Sequence, residues 1–196
     1  MSSESAIERK LKRQIAARKE AERLLEQKSL ELFESNQQLE LALRQLEKRS
    51  NANLRRIEFQ EQIDNLLIDF GRAFLRNDLN DVMLSELTTN VTNSYLIEAS
   101  RLILPPKLLP QLQANDYGDD TVEALDQDIQ EPLWNGEVLT VPLEVEKVIV
   151  GTLIVRVRLL DQDYEFIQSQ LLLVTDLICS ALTHQLAINR NIESRQ

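Results

Sequence analysis

The sequence predicts an α+β protein in which one long helix precedes a small domain. Residues 7–49 contain neither Pro nor Gly and consist largely of strong helix formers. Two runs rich in β-branched residues follow a turn signal at Asn135-Gly136, which is typical of paired strands. After Asp161 the apolar residues return to helical spacing. Since 43% of the 196 residues are hydrophobic, the chain can bury one core of ordinary size.

Residues 1–53 are predicted to form a coiled-coil helix. One heptad position holds leucine repeatedly, with Arg18 as an exception, and these leucines form the predicted dimer interface: Leu11, Leu25, Leu32, Leu39 and Leu46. The companion position is interrupted by Gln14, Lys28 and Ser35, which makes the seam weaker than a Leu/Ile zipper. A helix of about 40 residues extends roughly 60 Å, farther than a small domain. We therefore expect a parallel homodimer rather than docking of this helix on its own domain.

Residues 54–196 are predicted to form the small domain, because a new apolar stripe in a different frame begins at Leu54. For its first half we expect a helix at 57–76, a cap at 77–78, a second helix at 79–91 and a strand at 95–104. Seven acidic residues lie between 116 and 131 without a Lys or Arg among them. Their spacing does not match a calcium loop, so a solvated loop with a short helix is expected at 107–131.

The second half is predicted to contain a hairpin and a long helix. The strands are Val138 to Val145 and Val148 to Arg158, with Glu146-Lys147 at the tip. Gly151 inside the second strand indicates a bulge or a close approach of another backbone. The helix after Asp161 runs to about Asn191, and its apolar stripe extends beyond what a core needs. This exit helix is therefore a candidate for further pairing.

The charge distribution argues against nucleic-acid binding by the domain. Residues 1–56 carry 13 Lys/Arg and 9 Asp/Glu, whereas residues 57–196 carry 9 Lys/Arg and 23 Asp/Glu. An acidic surface repels phosphate backbones. The basic run in the helix could contact anionic lipid or RNA, although interspersed acids favour a solvated coiled-coil face; its members are Arg9, Lys10, Lys12, Arg13, Arg18 and Lys19.

The residues needed for catalysis or for a metal site are scarce. Cys179 and His184 are the only cysteine and histidine, which excludes an internal disulfide and leaves few soft ligands. No catalytic residue, metal site or cofactor is predicted, and the chain is not expected to be an enzyme. The polar N-terminus and the lack of about 20 uninterrupted apolar residues favour a cytoplasmic protein without a membrane span. Trp134, Tyr95 and Phe74 could line a ligand pocket, but plain core positions are favoured.

The stretch Leu139 to Asn191 resembles the C-terminal half of a GAF domain. It reads LTVPLEVEKVIVGTLIVRVRLLDQDYEFIQSQLLLVTDLICSALTHQLAINRN, and the likeness lies in the Val141-Pro142-Leu143 strand, the hairpin into Val150-Gly151 and the final helix opened by Phe166. Residues 13–39 resemble the signalling coiled coils of bacterial histidine kinases and diguanylate cyclases. The cyclic-nucleotide signature of the family, Asn-Lys-x-Phe-x-x-x-Asp-Glu, is absent. The bilin-binding form of the family needs a cysteine on the sheet side of its pocket, whereas Cys179 lies in the predicted final helix. Haem binding would fall on His184, but this position usually holds an ordinary helix residue in the family, so a histidine on the helix surface or at an interface is favoured.

The resemblance implies a GAF-like sensor region of a bacterial signal-transduction protein. Such a region would pass a ligand or partner signal through a dimeric coiled coil to an output domain lying after Gln196. The alternative is a structural adaptor whose degenerate GAF-like domain serves dimerisation or protein docking. The implied partners are a second copy of the chain and either a small molecule or another protein.

Overall fold

The computed structural model describes residues 2–158 and 163–195. The chain divides into two compact units, Met1–Asn53 and Leu54–Gln196. Within the described ranges the elements are α1 (Ser2–Arg76), α2 (Asp81–Val91), β1 (Ile97–Ile103), β2 (Asp116–Gly118), β3 (Leu133–Asn135), β4 (Val138–Val145), β5 (Val148–Val157) and α3 (Tyr164–Glu193).

The first unit consists of the N-terminal part of helix α1, as the absence of Gly and Pro predicts. Every described side chain from residue 3 to residue 51 is exposed. Ion pairs between residues one turn apart lie on the helix surface, as expected for a helix surrounded by water. They join Arg18 to Glu22 at 3.3 Å, Arg23 to Glu20 at 2.7 Å, and Lys28 to Glu31 at 2.9 Å.

The second unit is built on a five-stranded sheet with the order β2-β1-β5-β4-β3. All neighbouring strands are antiparallel. Alternate residues of β4 and β5 point to one face, where they meet the apolar stripes of the helices. The largest fully buried side chains of this core include Phe59, Ile63, Leu84, Leu102, Leu139, Leu143, Leu153 and Leu171. The α+β class predicted from the sequence is therefore confirmed.

The predicted hairpin between β4 and β5 is confirmed, including its tip. Glu146 and Lys147 both have a left-handed backbone, with φ of 52° and 65°, as a tight two-residue turn between twisted strands requires. The pairing register shifts between Leu143 and Glu144, opposite the region of Gly151. A Cβ on Gly151 would lie 2.3 Å from the carbonyl oxygen of Ile103. The glycine thus marks both a bulge and a close approach of two backbones.

The second helix begins two residues later than the sequence suggested. Its N-cap is Asn80, whose Oδ1 accepts a hydrogen bond of 3.0 Å from the backbone N–H of Met83. The prediction of a cap at 77–78 is therefore wrong. Leu79 is fully buried, and its N–H donates to Oε1 of Gln185 at 3.3 Å. Because this long-range bond satisfies the Leu79 amide, the helix starts only after it.

The acidic segment also differs from the prediction. No helix is present among residues 107–131, all of which are described, so the expected short helix is wrong. Strand β2 forms here instead, and Tyr117 at its centre is buried. The Tyr117 hydroxyl donates to Asp81 at 2.6 Å, a contact 36 residues away in sequence. Strand β3, which pairs with β4, was not predicted either, because three residues are too few to show a period.

Helix α3 lies against the sheet and buries a stripe of residues in the core. It also contains an 18-residue window with mean hydropathy 1.6, so length and composition alone would allow it to cross a membrane; 39% of that window is buried. A core helix of a globular domain has the same properties. The buried positions are Ile167, Leu171, Val174, Thr175, Ile178, Ala181, Leu182 and Gln185. Asp161, the predicted start of the helix, lies outside the described residues.

Candidate functional site

The face of the sheet opposite the helices carries a second, smaller apolar cluster. Strand register places Ala99, Arg156 and Val138 in one row across β1, β5 and β4. The cluster consists of Ala99, Ile154 and Val122, with Ile103 and Val138 packed against it. Val122 comes from the loop after β2 and is fully buried. This loop therefore covers part of the second face.

Two arginines hold the loop on this face through its backbone carbonyl groups. Nη1 of Arg101 donates to the oxygen of Val122 at 2.8 Å, and Nη2 of Arg156 donates to the oxygen of Thr121 at 2.9 Å. The other side of the Arg101 guanidinium binds the Asp116 carboxylate in a fork, with distances of 2.9 and 2.5 Å. The hydrogen bonds from Arg101 lower the pKa of Asp116, so this carboxylate stays charged in mildly acidic solution.

A cavity of about 290 Å³ lies between the loop and the sheet, beside the apolar cluster. Its volume is at the small end of the range of about 300–1,000 Å³ that is usual for ligand pockets. The cavity is partly open to solvent. Its lining residues are Thr121, Glu123, Ala124, Leu125, Asn135, Val138, Thr140 and Arg156.

Thr140 presents a polar atom without a partner at this cavity. The residue is 1% exposed, and its Oγ1 has no hydrogen-bond partner among the residues that the structure describes. Buried polar atoms are nearly always hydrogen-bonded, because an unpaired one costs about 1–3 kcal/mol. A hydroxyl can donate or accept, so a bound molecule of either polarity could satisfy it. No group within residues 2–158 and 163–195 uses the hydrogen-bonding capacity of the Thr140 hydroxyl.

Arg156 supplies positive charge at the same cavity. One N–H group of its half-buried guanidinium is used by Thr121, and no carboxylate within the described part of the chain forms an ion pair with it. The charge of Arg156 also acts on Asp119. The pKa of Asp119 is lowered chiefly by hydrogen bonds from Thr121 and to a smaller extent by the positive charge of Arg156. Arginine has five N–H donors in a planar fork. Several of them remain available for an anion.

Cys179 and His184, for which the sequence predicted no functional role, both line an open groove of about 850 Å³ between α3 and β4. Cys179 is half-buried, and burial raises the pKa of its thiol, although a hydrogen bond from the backbone of Glu144 acts in the opposite direction. A neutral thiol is a weak nucleophile. His184 is exposed and stacks edge-on against Phe74, with ring centroids 5.6 Å apart. His184 therefore lies on the helix surface, as expected.

The three aromatic residues considered as pocket candidates do not come together. Trp134 is half-buried, and its Nε1 donates to Gln168 at 2.8 Å. Tyr95 is 60% exposed and faces the Arg158 guanidinium at 5.4 Å. Trp134 and Phe74 both pack against the main hydrophobic core, as expected, whereas the expectation of a core position is wrong for Tyr95. Among the described residues, no group of three or more His, Cys, Asp or Glu side chains is arranged to hold a metal ion.

The predicted interface leucines are all exposed on the first unit. Leu11, Leu25, Leu32, Leu39 and Leu46 are between 55% and 70% exposed in the single chain. Exposed leucines at heptad spacing are available for a partner helix. The pairing itself stays a prediction.

Sequence reasoning missed Thr140 and Arg156. Both stand at alternate positions of predicted strands, where a polar side chain normally faces water. The strand pattern could place them together on the non-helical face, since Thr140 pairs with Ile154 and Arg156 pairs with Val138. It could not indicate that the loop after β2 would cover this face.

The comparisons with known proteins find matches among solved structures. No protein-family model matches the chain, and no curated protein matches it. A similar solved structure is the crystal structure of the GAF domain of a protein assigned as a sensor histidine kinase from Pseudomonas syringae pv. tomato. The match has a TM-score of 0.44 and 18% identity, and it covers 76% of this chain and 98% of that chain.

The architecture expected for residues 54–196, an antiparallel sheet flanked by helices, is confirmed by the observed elements.

Proposed function

We propose that this protein is a regulatory module of a signalling system that senses a small anionic molecule. Residues 54–196 bind the molecule in the cavity between the sheet and the loop after β2, and the helix of residues 1–53 pairs with a second copy. The observation that carries this proposal is that Thr140, whose buried hydroxyl has no partner among the described residues, lines the same cavity as Arg156. A carboxylate or phosphate oxygen would accept from both groups.

Binding at this position has a route to the rest of the domain. Arg156 holds the loop at Thr121, and Arg101 holds the next residue, Val122. An anion that recruits Arg156 changes the position of this loop relative to β1. Strand β1 is tied to helix α2 by the Ser100 hydroxyl, which donates to the carbonyl oxygen of Thr88 at 2.8 Å. Both residues are buried, so a displacement of the strand is transmitted to helix α2 through this packed contact.

The output of such a module would be a change in helix pairing. A ligand shifts an equilibrium only by its differential affinity for the two states, which is typically a few kcal/mol. The polar residues Gln14, Lys28 and Ser35 weaken the seam of the predicted coiled coil, so that two helix arrangements are close in energy.

Native mass spectrometry and thermal unfolding of the purified full chain test the ligand proposal. We expect either a retained small acid or a rise in Tm with citrate, succinate or inorganic phosphate. Arg156→Gln and Thr140→Val should abolish this effect, whereas Arg158→Gln removes the same charge outside the cavity and should preserve it. An empty cavity combined with no response to any of the three anions would contradict sensing of a small anion and favour the docking adaptor.

Thr140→Val also separates a binding role from a structural one. Valine has nearly the same shape as threonine but no hydroxyl, so the substitution removes the unpaired polar atom. We expect the ligand-free variant to be more stable than the natural protein by about 1 kcal/mol. If the Thr140 hydroxyl instead forms a hydrogen bond within the folded protein, Thr140→Val should lower the free energy of unfolding.

A further inference from the structure

Positive charge is concentrated at one end of the first unit. Residues 7–19 contain six Lys/Arg and one Glu, a net charge of +5, whereas residues 20–53 contain five Lys/Arg and seven Glu, a net charge of −2. Every described residue of this segment is helical and exposed. We propose that residues 7–19, called the basic segment below, bind the surface of an anionic lipid membrane.

Four cations of the basic segment are free to meet an external anion. Among the described residues, Arg9, Lys10, Lys12 and Arg13 form no ion pair with a carboxylate. By contrast, Arg18 pairs with Glu22, and Arg23 and Lys28 farther along the helix are each paired with a glutamate one turn away. Intrahelical pairing therefore accounts for the charges from residue 18 to the middle of the unit but not for these four cations.

An apolar stripe accompanies these charges. Ile7, Leu11 and Ile15 follow one another at intervals of four residues, and they are 67%, 55% and 47% exposed. At 3.6 residues per turn the three side chains share one face of the helix, with Lys10 on one flank and Lys12 on the other. Lysine stems can lie along an apolar surface while the ammonium groups reach outward. This arrangement is that of a helix lying in a lipid–water interface.

The predicted coiled coil explains only part of the stripe, since Leu11 is a seam residue and Ile7 lies at the companion position. Ile15 is outside the two heptad positions of the seam, and the seam positions that follow Leu11 are Gln14 and Arg18. Pairing of two helices therefore gains little apolar contact over residues 14–18. A flat surface, by contrast, can accept Ile15 together with Ile7 and Leu11.

Lipid is favoured over nucleic acid because of the residues between the cations. The basic segment contains no aromatic residue that could stack on a base. Apolar side chains add nothing to phosphate-backbone contacts but do gain from the acyl boundary of a membrane. Residue 53 is about 50 Å along the helix from residue 19, several Debye lengths at about 0.1 M salt, so the attraction is local. The proposal does not depend on the anion cavity. It places Ile7 and Leu11 against lipid, so the seam between paired helices then begins beyond the basic segment.

Vesicle flotation of the full chain tests this proposal. Vesicles of phosphatidylcholine mixed with phosphatidylserine should bind the protein, and vesicles of phosphatidylcholine alone should not. The test variant replaces four cations of the basic segment: Arg9→Gln, Lys10→Gln, Lys12→Gln and Arg13→Gln. The matched control removes the same charge farther along the helix: Arg23→Gln, Lys28→Gln, Arg44→Gln and Lys48→Gln.

We expect the test variant to lose roughly tenfold or more in vesicle partitioning, and the control to lose much less. Ile15→Ser should also weaken binding, although it changes neither charge nor the heptad seam. Equal losses in both fourfold variants, or no preference for phosphatidylserine, would overturn the proposal. Binding of single-stranded RNA that the test variant loses, without vesicle binding by the natural chain, would assign the segment to nucleic acid instead.

Discussion

Asp81 fastens the start of helix α2 to the segment that leads into β2. Its carboxylate accepts hydrogen bonds from the backbone N–H groups of Gln113 and Ala114 at 3.1 and 3.2 Å, and from the Tyr117 hydroxyl at 2.6 Å. The Tyr117 bond is the largest cause of a lowered pKa of Asp81. Burial raises the pKa and is the second-largest influence, and the two backbone hydrogen bonds lower the pKa further.

The lowered pKa makes the domain sensitive to acid. A carboxylate with a folded-state pKa below its usual value of about 4 contributes stability above that pH. This contribution is lost as the pH falls through the folded-state pKa. We expect Asp81→Asn to reduce the free energy of unfolding at pH 7 by about 1–3 kcal/mol and to flatten its decline below about pH 4.

Chemical denaturation at a series of pH values measures this effect. Asp78→Asn is the matched control, because Asp78 is exposed and precedes the same helix. Equal losses of stability in the two variants would show that the three hydrogen bonds of Asp81 are not the cause.

At the scale of elements, two glycines set how closely neighbouring strands approach. Gly118 has a φ of 101°, and a Cβ there would lie 2.3 Å from the carbonyl oxygen of Ser100. A Cβ on Gly151 would meet the carbonyl oxygen of Ile103 at the same distance. Both contacts are with backbone atoms of β1, which cannot move without breaking the ladder. Strand β1 is thus wedged between two positions that accept only glycine.

Alanine substitutions test this close approach. We expect Gly118→Ala and Gly151→Ala each to destabilise the domain by about 2 kcal/mol or more, since both create a clash with backbone. Gly71→Ala is the control, because nothing lies within 4 Å of its Cβ position in helix α1. This change should stabilise the protein by about 0.5–1 kcal/mol. Thermal unfolding shows whether each variant has a lower or higher Tm than the natural protein. Equal changes in Tm for all three variants would contradict a close approach of backbones at Gly118 and Gly151.

At the scale of the whole molecule, the exposed leucines of the first unit predict self-association. An unpaired helix of this length leaves considerable apolar surface in water, and burial of each leucine is worth about 1.5–3 kcal/mol. We expect the full chain to sediment as a dimer at micromolar concentration. Leu25→Ala, Leu32→Ala and Leu39→Ala together should shift it to monomer.

The chain offers a control of identical composition. Leu24→Ala, Leu30→Ala and Leu41→Ala remove three leucines that are also exposed but lie outside the two seam positions. This variant should remain a dimer. Analytical ultracentrifugation distinguishes the outcomes, and a natural chain that sediments as a monomer would contradict the paired helix on which the relay depends.

The sequence by itself determined the local elements of this protein. Helix formers without Gly or Pro specify α1, and Asn135-Gly136 together with Glu146-Lys147 specify the turns around β4. These signals are legible because helix and turn preferences act between residues close in sequence. The same holds for the stripe of α3, whose period identifies the buried face.

The tertiary structure decided the candidate site. Strand β2, the loop behind it and the cavity depend on contacts such as Arg101 with Asp116, Arg156 with Thr121 and Tyr117 with Asp81, which join residues 15, 35 and 36 positions apart. The spacing of apolar and polar residues within one helix or strand cannot predict contacts between residues this far apart in sequence. Thr140 and Arg156 therefore look like ordinary outward-facing strand residues in the sequence, and they acquire a shared cavity only when a distant loop folds over them.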